Sequence, residues 1–233
     1  MNNNFNNQKV IETYDSALRS YFLKVYNYMG FGLIITAIMA FAVANSPTAL
    51  KTIYGTPLQY VVMFAPLVFM LVLSFGINKL KASTAQMLFW LFCMAMGLSL
   101  SSIFLVYTGV SIVRVFLITS ATFLVMSIYG YTTNTDLSKF GSILMMGLIG
   151  IIIASLVNLF LKSSGLDFII SLVGVVVFTG LIGYDTQRMK TTFDEAWDNE
   201  TYKKVAIYSA LSLYINFINL FLMLLRLVGQ RRD

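Results

Sequence analysis

The sequence predicts an all-α integral membrane protein. Of its 233 residues, 58% are hydrophobic and only 11% are charged, whereas soluble domains carry about 25% charged residues. The apolar residues form seven segments, and each is long enough to cross a bilayer as a helix, for which about 20 residues are needed. The net charge of +6 is spread thinly along the chain. It therefore indicates loop charges that set orientation and not a nucleic-acid surface.

The chain begins with a polar head over residues 1–24, in which residues 9–24 are predicted to form an amphipathic surface helix. A transmembrane domain over residues 25–229 follows. The first helix is predicted over 25–44, where small residues recur every four positions and favour close packing. A loop with Pro47 and Pro57 leads to the second helix at 60–77, which Lys79 and Lys81 terminate.

The third to fifth helices are predicted over 83–107, 111–129 and 140–161. Between the fourth and fifth lies a turn over 130–139, in which Asp136 or Ser138 is a candidate cap for the next helix. The sixth helix is predicted over 166–191. It carries no charge from Phe168 to Tyr184.

The seventh helix, predicted over 204–228, has a polar stripe. Ser209, Ser212, Asn216 and Asn219 are spaced three, four and three residues apart, which places them on one side of a helix. Polar groups that face lipid lack partners. We therefore predict that the stripe faces protein or a water-filled cavity, and that the six earlier helices surround this one.

The distribution of basic residues predicts an orientation. Ten of the 16 Lys and Arg residues lie on the side of the N-terminus. Because cytoplasmic loops are enriched in Lys and Arg, we expect the N-terminus to be cytoplasmic and the C-terminus to lie on the opposite side.

Asp185 is the sharpest candidate site residue, because an ionisable side chain at membrane depth is a functional-site hypothesis by default. The alternative is an interfacial Asp paired with Arg188 on the next turn. Asn216 lies about 18 Å along the helix from Lys204 and so near the midplane. The alternative for Asn216 and its neighbours Asn219, Ser212 and Ser209 is interhelical hydrogen bonding that serves packing alone.

The sequence argues against an enzyme and predicts no cofactor. Histidine is absent, which removes the commonest metal ligand and general base. The zinc-protease HExxH, the GxSxG nucleophile elbow and the phosphate-binding P-loop are also missing.

The chain resembles the Bax inhibitor-1 family, the transmembrane BAX-inhibitor-motif proteins, in its bacterial form. The resemblance spans about residues 18–229. It is carried by residues 25–30 (VYNYMG), 96–104 (MGLSLSSIF), 129–133 (YGYTT), 136–138 (DLS), 184–187 (YDTQ), 210–214 (ALSLY) and 219–220 (NL). Together these motifs are specific, although each is weak alone.

The resemblance implies a bacterial inner-membrane protein with six helices around the seventh, and a calcium leak controlled by a pair of aspartates. Asp185 matches the first aspartate. Asn216 stands at the second position, which departs from the family pattern and implies a weakened pH response. The family also suggests a basic partner on the second helix, for which Lys79 is a loose match. Calcium would be the permeant ion, weakly bound at Asp185.

Two functions follow as hypotheses, whereas an enzyme or a proton-coupled transporter is disfavoured by the absence of histidine and of an internal repeat. The first is a passive calcium or other cation leak past Asp185 and the polar stripe. The second is a regulator that does not conduct and acts through contact with a membrane-bound AAA protease or another membrane protein. The sequence gives no indication of an oligomeric state.

Overall fold

The computed structural model describes the backbone of residues 2–232 and the side chains of residues 13–232. The protein is 86% helical, and the described residues form nine helices and no strand. The helices are α1 (Asn2–Ala44), α2 (Pro47–Tyr54), α3 (Leu58–Gly76), α4 (Ala82–Leu100), α5 (Ile103–Val106), α6 (Gly109–Thr132), α7 (Ser138–Leu161), α8 (Ser164–Thr192) and α9 (Asn199–Val228).

Seven helical spans within this part of the chain are long and apolar enough to cross a membrane, which confirms the predicted fold class. They are Thr13–Ala44, Leu58–Gly76, Ala82–Val106, Gly109–Thr132, Ser138–Leu161, Ser164–Thr192 and Asn199–Val228. Large apolar side chains are exposed along them, such as Phe75 and Phe160, as expected of surfaces that face lipid.

The span predicted as one helix over 83–107 is divided at Ser101. Its hydroxyl donates to the carbonyl of Leu98 at 2.6 Å, and its N–H is shared between the carbonyls of Gly97 and Leu98. Local bonds of this kind compete with regular helical pairing. The chain therefore ends α4 at Leu100 and resumes as the short helix α5 within the same span.

The connection predicted as a loop after the first span contains α2. The Ser46 hydroxyl accepts a hydrogen bond from Ala49 N–H at 3.3 Å, and Pro47 occupies the start of the helix. Both features favour helix initiation, so this connection is partly helical.

The chain divides into two compact units, and the first contains residues 1–101 and 192–211. In this unit α4 packs against both α1 and α3. The small face of α1 makes that packing possible, since Gly32 lies against Phe89 and Cys93. The Thr36 hydroxyl donates to the carbonyl of Cys93 at 2.9 Å.

The polar head does not form the separate surface helix that was predicted over 9–24, because those residues continue into α1 without a break. Within residues 13–24, Leu18, Tyr21 and Phe22 are buried in the first unit. Tyr21 is fully buried. The centroid of its ring lies 5.3 Å from the ring centroid of Phe193 and 6.0 Å from that of Trp197. The aromatic residues before α9 thus cover this side of α1.

The second unit contains residues 102–191 and 212–233, and includes α6, α7, most of α8 and the second half of α9. Helix α6 approaches α8 closely at Gly130, which lies directly against the backbone of Gly183. A Cβ atom added to Gly130 would also lie 3.0 Å from Cβ of Thr186. Only a residue without a side chain at position 130 permits this approach. The point of contact on α8, Gly183, lies two residues before Asp185.

We expect Gly130→Ala to destabilise the protein by about 1–3 kcal/mol, because the added methyl group would overlap backbone atoms of Gly183 that cannot move aside. Thermal unfolding of the detergent-solubilised protein would measure this effect. Gly150→Ala is the matched control, since within the described chain its added methyl would come within 4 Å of nothing beyond its own stretch of helix, and alanine favours a helix by about 1 kcal/mol. Equal stability of the two variants would contradict the close approach.

The last helix is the most deeply buried span. Of the apolar window of α9, 56% is buried, against 39% or less for each of the other spans. This burial agrees with a helix whose stripe meets protein. The arrangement of six helices around it stays a prediction.

Candidate functional site

Three predicted site residues come together within the second unit. Oδ2 of Asp185, on α8, accepts a hydrogen bond from the hydroxyl of Ser212 at 2.5 Å and one from Nδ2 of Asn216 at 2.8 Å. Ser212 and Asn216 are four residues apart on α9, so they present adjacent positions on one face of that helix. We call these three residues the Asp185 cluster.

The position of Asp185 on α8 follows from the helix that carries it. Thr186, the next residue, is fully buried, and its hydroxyl donates back to the carbonyl of Ile182 at 2.8 Å. The approach of α6 at Gly130 fixes the adjacent turn. A count of residues along each helix places Asp185 about one turn nearer the membrane surface than Asn216. In the structure Asp185 meets both Asn216 and Ser212, which lies one turn nearer that surface on α9.

The cluster lies at the border between the protein interior and accessible space. Asn216 is buried, whereas Asp185 and Ser212 are half-buried. Both hydrogen bonds reach the same oxygen, Oδ2, and Oδ1 accepts none from the residues that the structure describes. The partial exposure of Asp185 places its carboxylate at the edge of the protein interior.

The electrostatic environment of the cluster combines one acid with neutral donors. Arg188, three residues further along α8, is exposed, and its positive charge acts favourably on the Asp185 carboxylate. The predicted alternative, in which Asp185 is only an interfacial partner of Arg188, leaves out the two hydrogen bonds from α9. The site is thus more than a surface charge pair.

Other residues of the polar stripe have different partners. Ser209 belongs to the first unit, where its hydroxyl bonds to that of Tyr21 at 2.8 Å. The side chain of Asn219 donates to the carbonyl of Ile215 on its own helix at 2.9 Å. Lys79 is exposed in the turn after α3, in the first unit. These three residues are therefore not part of the Asp185 cluster.

Gln187 is a positioning residue that the sequence analysis did not single out. Its side chain accepts from Leu137 N–H at 2.7 Å and donates to the carbonyl of Thr135 at 2.8 Å. It thereby ties the α6–α7 connection to α8, two residues after Asp185. Membership in the YDTQ motif is the only feature of the sequence that could have indicated this role.

The side chains of the cluster do not form a tight binding site for a hard cation such as calcium. Within the part of the chain that the structure describes, no three His, Cys, Asp or Glu residues lie close enough to hold a metal ion together. Asp185 offers one carboxylate, accompanied by hydroxyl and amide oxygens. Such a set binds calcium weakly, because affinity rises with the number of charged ligands.

The fold and the cluster define a multi-pass membrane protein with a half-buried carboxylate between two of its spans. A sequence model of the family described as "Inhibitor of apoptosis-promoting Bax1" matches residues 18–233. The chain belongs to the Bax inhibitor-1 family, as its motifs predict.

Similar proteins occur in several bacteria. The chain is 45% identical over 220 residues to the inner membrane protein YbhL of Escherichia coli K12, covering 93% of this chain and 94% of that protein. It is 48% identical over 222 residues to an uncharacterised protein of Rickettsia prowazekii, with 95% and 94% coverage. An uncharacterised membrane protein of Streptococcus pyogenes is 32% identical over 230 residues, with 96% and 99% coverage.

Proposed function

We propose that the protein is a passive cation leak channel, with calcium as its permeant ion and the Asp185 cluster as its gate. The observation that carries the proposal is the half-buried carboxylate between two membrane spans, one oxygen of which accepts hydrogen bonds from two neutral donors. An acid in this position costs free energy of burial, so its presence favours a role in ion movement.

The composition of the cluster fits conduction better than storage. A cation that passes Oδ1 exchanges some of its water for one carboxylate oxygen and for neighbouring hydroxyl and amide oxygens. Conduction requires binding that is favourable enough for entry and weak enough for exit. One carboxylate supplies attraction without the charge that would trap calcium.

Asn216 weakens the pH response expected of the proposed gate, because it leaves Asp185 without a second carboxylate to share a proton. Two neighbouring carboxylates share a proton because they do not readily ionise together, and that proton exchanges as the pH changes. An amide has the shape of a protonated carboxyl group and donates in the same way, but it does not titrate. The pairing of Asp185 with Asn216 thus resembles a carboxylate pair held permanently with one proton.

The proposed location is a bacterial inner membrane. A similar protein of Escherichia coli is named an inner membrane protein, and this protein has seven helical spans that are long and apolar enough to cross a membrane. The basic residues of the loops favour a cytoplasmic N-terminus and a C-terminus on the opposite side.

Calcium flux into proteoliposomes tests the proposed function. We expect the purified wild-type protein to admit calcium faster than protein-free liposomes of the same lipids, with only a weak pH dependence wherever the Asp185 carboxylate stays ionised. The absence of flux at every pH would overturn the leak and favour a regulator that acts on a membrane-bound AAA protease or another membrane protein.

A further inference from the structure

A surface groove with a volume of about 380 Å³ lies on the first unit. None of the residues that line it belongs to the Asp185 cluster. It is bounded by one side of α1 and by Trp90 of α4. Ser20, Lys24, Asn27 and Phe31 follow each other along α1 at intervals of four, three and four residues, which places them on one face. This face changes from polar to apolar toward the membrane interior.

The polar end of the groove carries positive charge. Lys24 makes no ion pair with any residue in the described part of the chain. Its ammonium group instead lies 4.7 Å from the centroid of the Tyr202 ring. Lys203 is close enough to repel it. A negatively charged group in the groove beside Lys24 would relieve that repulsion.

The walls of the groove are held in place by contacts within the unit. The hydroxyl of Tyr28 donates to Oε1 of Gln86 at 3.1 Å. The centroids of the Tyr28 and Trp90 rings lie 5.7 Å apart. Tyr and Trp are enriched where membrane and water meet, since each has an apolar ring and a polar group. The aromatic pair therefore marks the level of the lipid headgroups.

Beyond the aromatic pair, the same side of α1 is apolar. Phe31 is 60% exposed, and exposed side chains of Ile34, Ile38 and Phe41 continue in the same direction. Their spacing of three, four and three residues keeps them on one face. This face offers a surface of the length and chemistry that an acyl chain covers.

We propose that the groove binds a phospholipid with an anionic headgroup, whose phosphate lies beside Lys24 and whose acyl chain lies along α1 from Phe31. Charge complementarity selects the anionic lipid. The order of Lys24, Tyr28 and the apolar face along α1, with Trp90 of α4 beside Tyr28, matches the order of phosphate, glycerol and acyl chain in a lipid. A soluble anion would use the lysines but not the aromatic pair or the apolar face.

Fluorescence quenching by brominated lipids tests the site, because Trp90 is one of only two tryptophans. In a Trp197→Phe background, Trp90 is the only tryptophan that remains. Proteoliposomes of phosphatidylcholine would contain a small fraction of phosphatidylglycerol or phosphatidylcholine with brominated acyl chains. We expect the brominated anionic lipid to occupy the position beside Trp90 with roughly fivefold preference, the amount that one interfacial lysine provides.

Lys24→Gln should remove most of this preference, and Lys24→Arg should keep it. Lys51→Gln is the matched control, because Lys51 is an exposed lysine of the same unit on α2 and does not line the groove. Equal quenching by both brominated lipids in the Trp197→Phe protein would overturn the proposal, as would a preference that survives Lys24→Gln. Loss of the preference on addition of inorganic phosphate would assign the lysines to a soluble anion and would also overturn it.

Discussion

Asp185→Asn is expected to lower calcium flux through the protein at least about tenfold. The substitution keeps the shape of the side chain and removes the charge of the cluster. At a distance of 4 Å, the attraction between two unit charges is about 4 kcal/mol at the effective dielectric constant of a protein surface, so even a fraction of it changes the rate of cation entry tenfold. Flux into proteoliposomes, compared at equal protein content, measures the effect.

Asp167→Asn is the matched control for this variant. Asp167 lies at the other end of α8, is exposed, and forms an ion pair with Arg226 at 3.5 Å, so its replacement removes one acidic charge from the same helix without reaching the cluster. We expect its flux to remain close to that of the wild type. If both variants retained wild-type flux, the conducting path would not pass Asp185. If both lost it equally, general surface charge would explain the effect.

Asn216→Asp is expected to make the flux depend on pH. The new carboxylate would lie where Asn216 now meets Asp185, at 2.8 Å between Nδ2 and Oδ2, and two acids at this distance share one proton. On the acid side the pair carries one charge and one donor, as the wild type does, so flux should match the wild type. On the alkaline side the second charge appears and flux should depart from the wild type several-fold.

A pH series on proteoliposomes with matched internal and external buffer tests this difference. Asn219→Asp is the control, since it makes the same substitution one turn away on the same helix, where the side chain donates to the backbone carbonyl of Ile215. A pH profile of Asn216→Asp that matches the wild type throughout would contradict the role assigned to Asn216. The same pH dependence in both variants would show that any acid on α9 produces it.

The polar stripe of α9 was predictable from the sequence, whereas the partner of each of its residues was not. Helical periodicity placed Ser209, Ser212, Asn216 and Asn219 on one face. Two of them contact Asp185, whereas Ser209 bonds to Tyr21 in the first unit. Periodicity fixes the direction of a side chain about its helix axis, but it contains no information on which neighbour lies opposite. The partner of each stripe residue therefore required the structure.

The divided span at Ser101 and the continuous helix α1 are differences of another kind. Apolar composition gives the extent of a span, because burial in lipid depends on the sum of its side chains. It does not reveal a two-residue interruption that one serine produces by bonding to Leu98. It also does not show that the polar head continues into α1, because the apolar side of residues 13–24 is stabilised by aromatic residues far along the chain.

The sequence by itself determined the membrane class, the seven spans, the family and the candidate acid, because each depends on composition, local periodicity or short motifs. The tertiary structure decided that Asp185 meets Ser212 and Asn216 through one carboxylate oxygen. The physical reason is that the axial shift between two helices is set by side-chain packing along their whole length, such as the approach of Gly130 to Gly183. Residue counts along separate helices leave that shift undetermined.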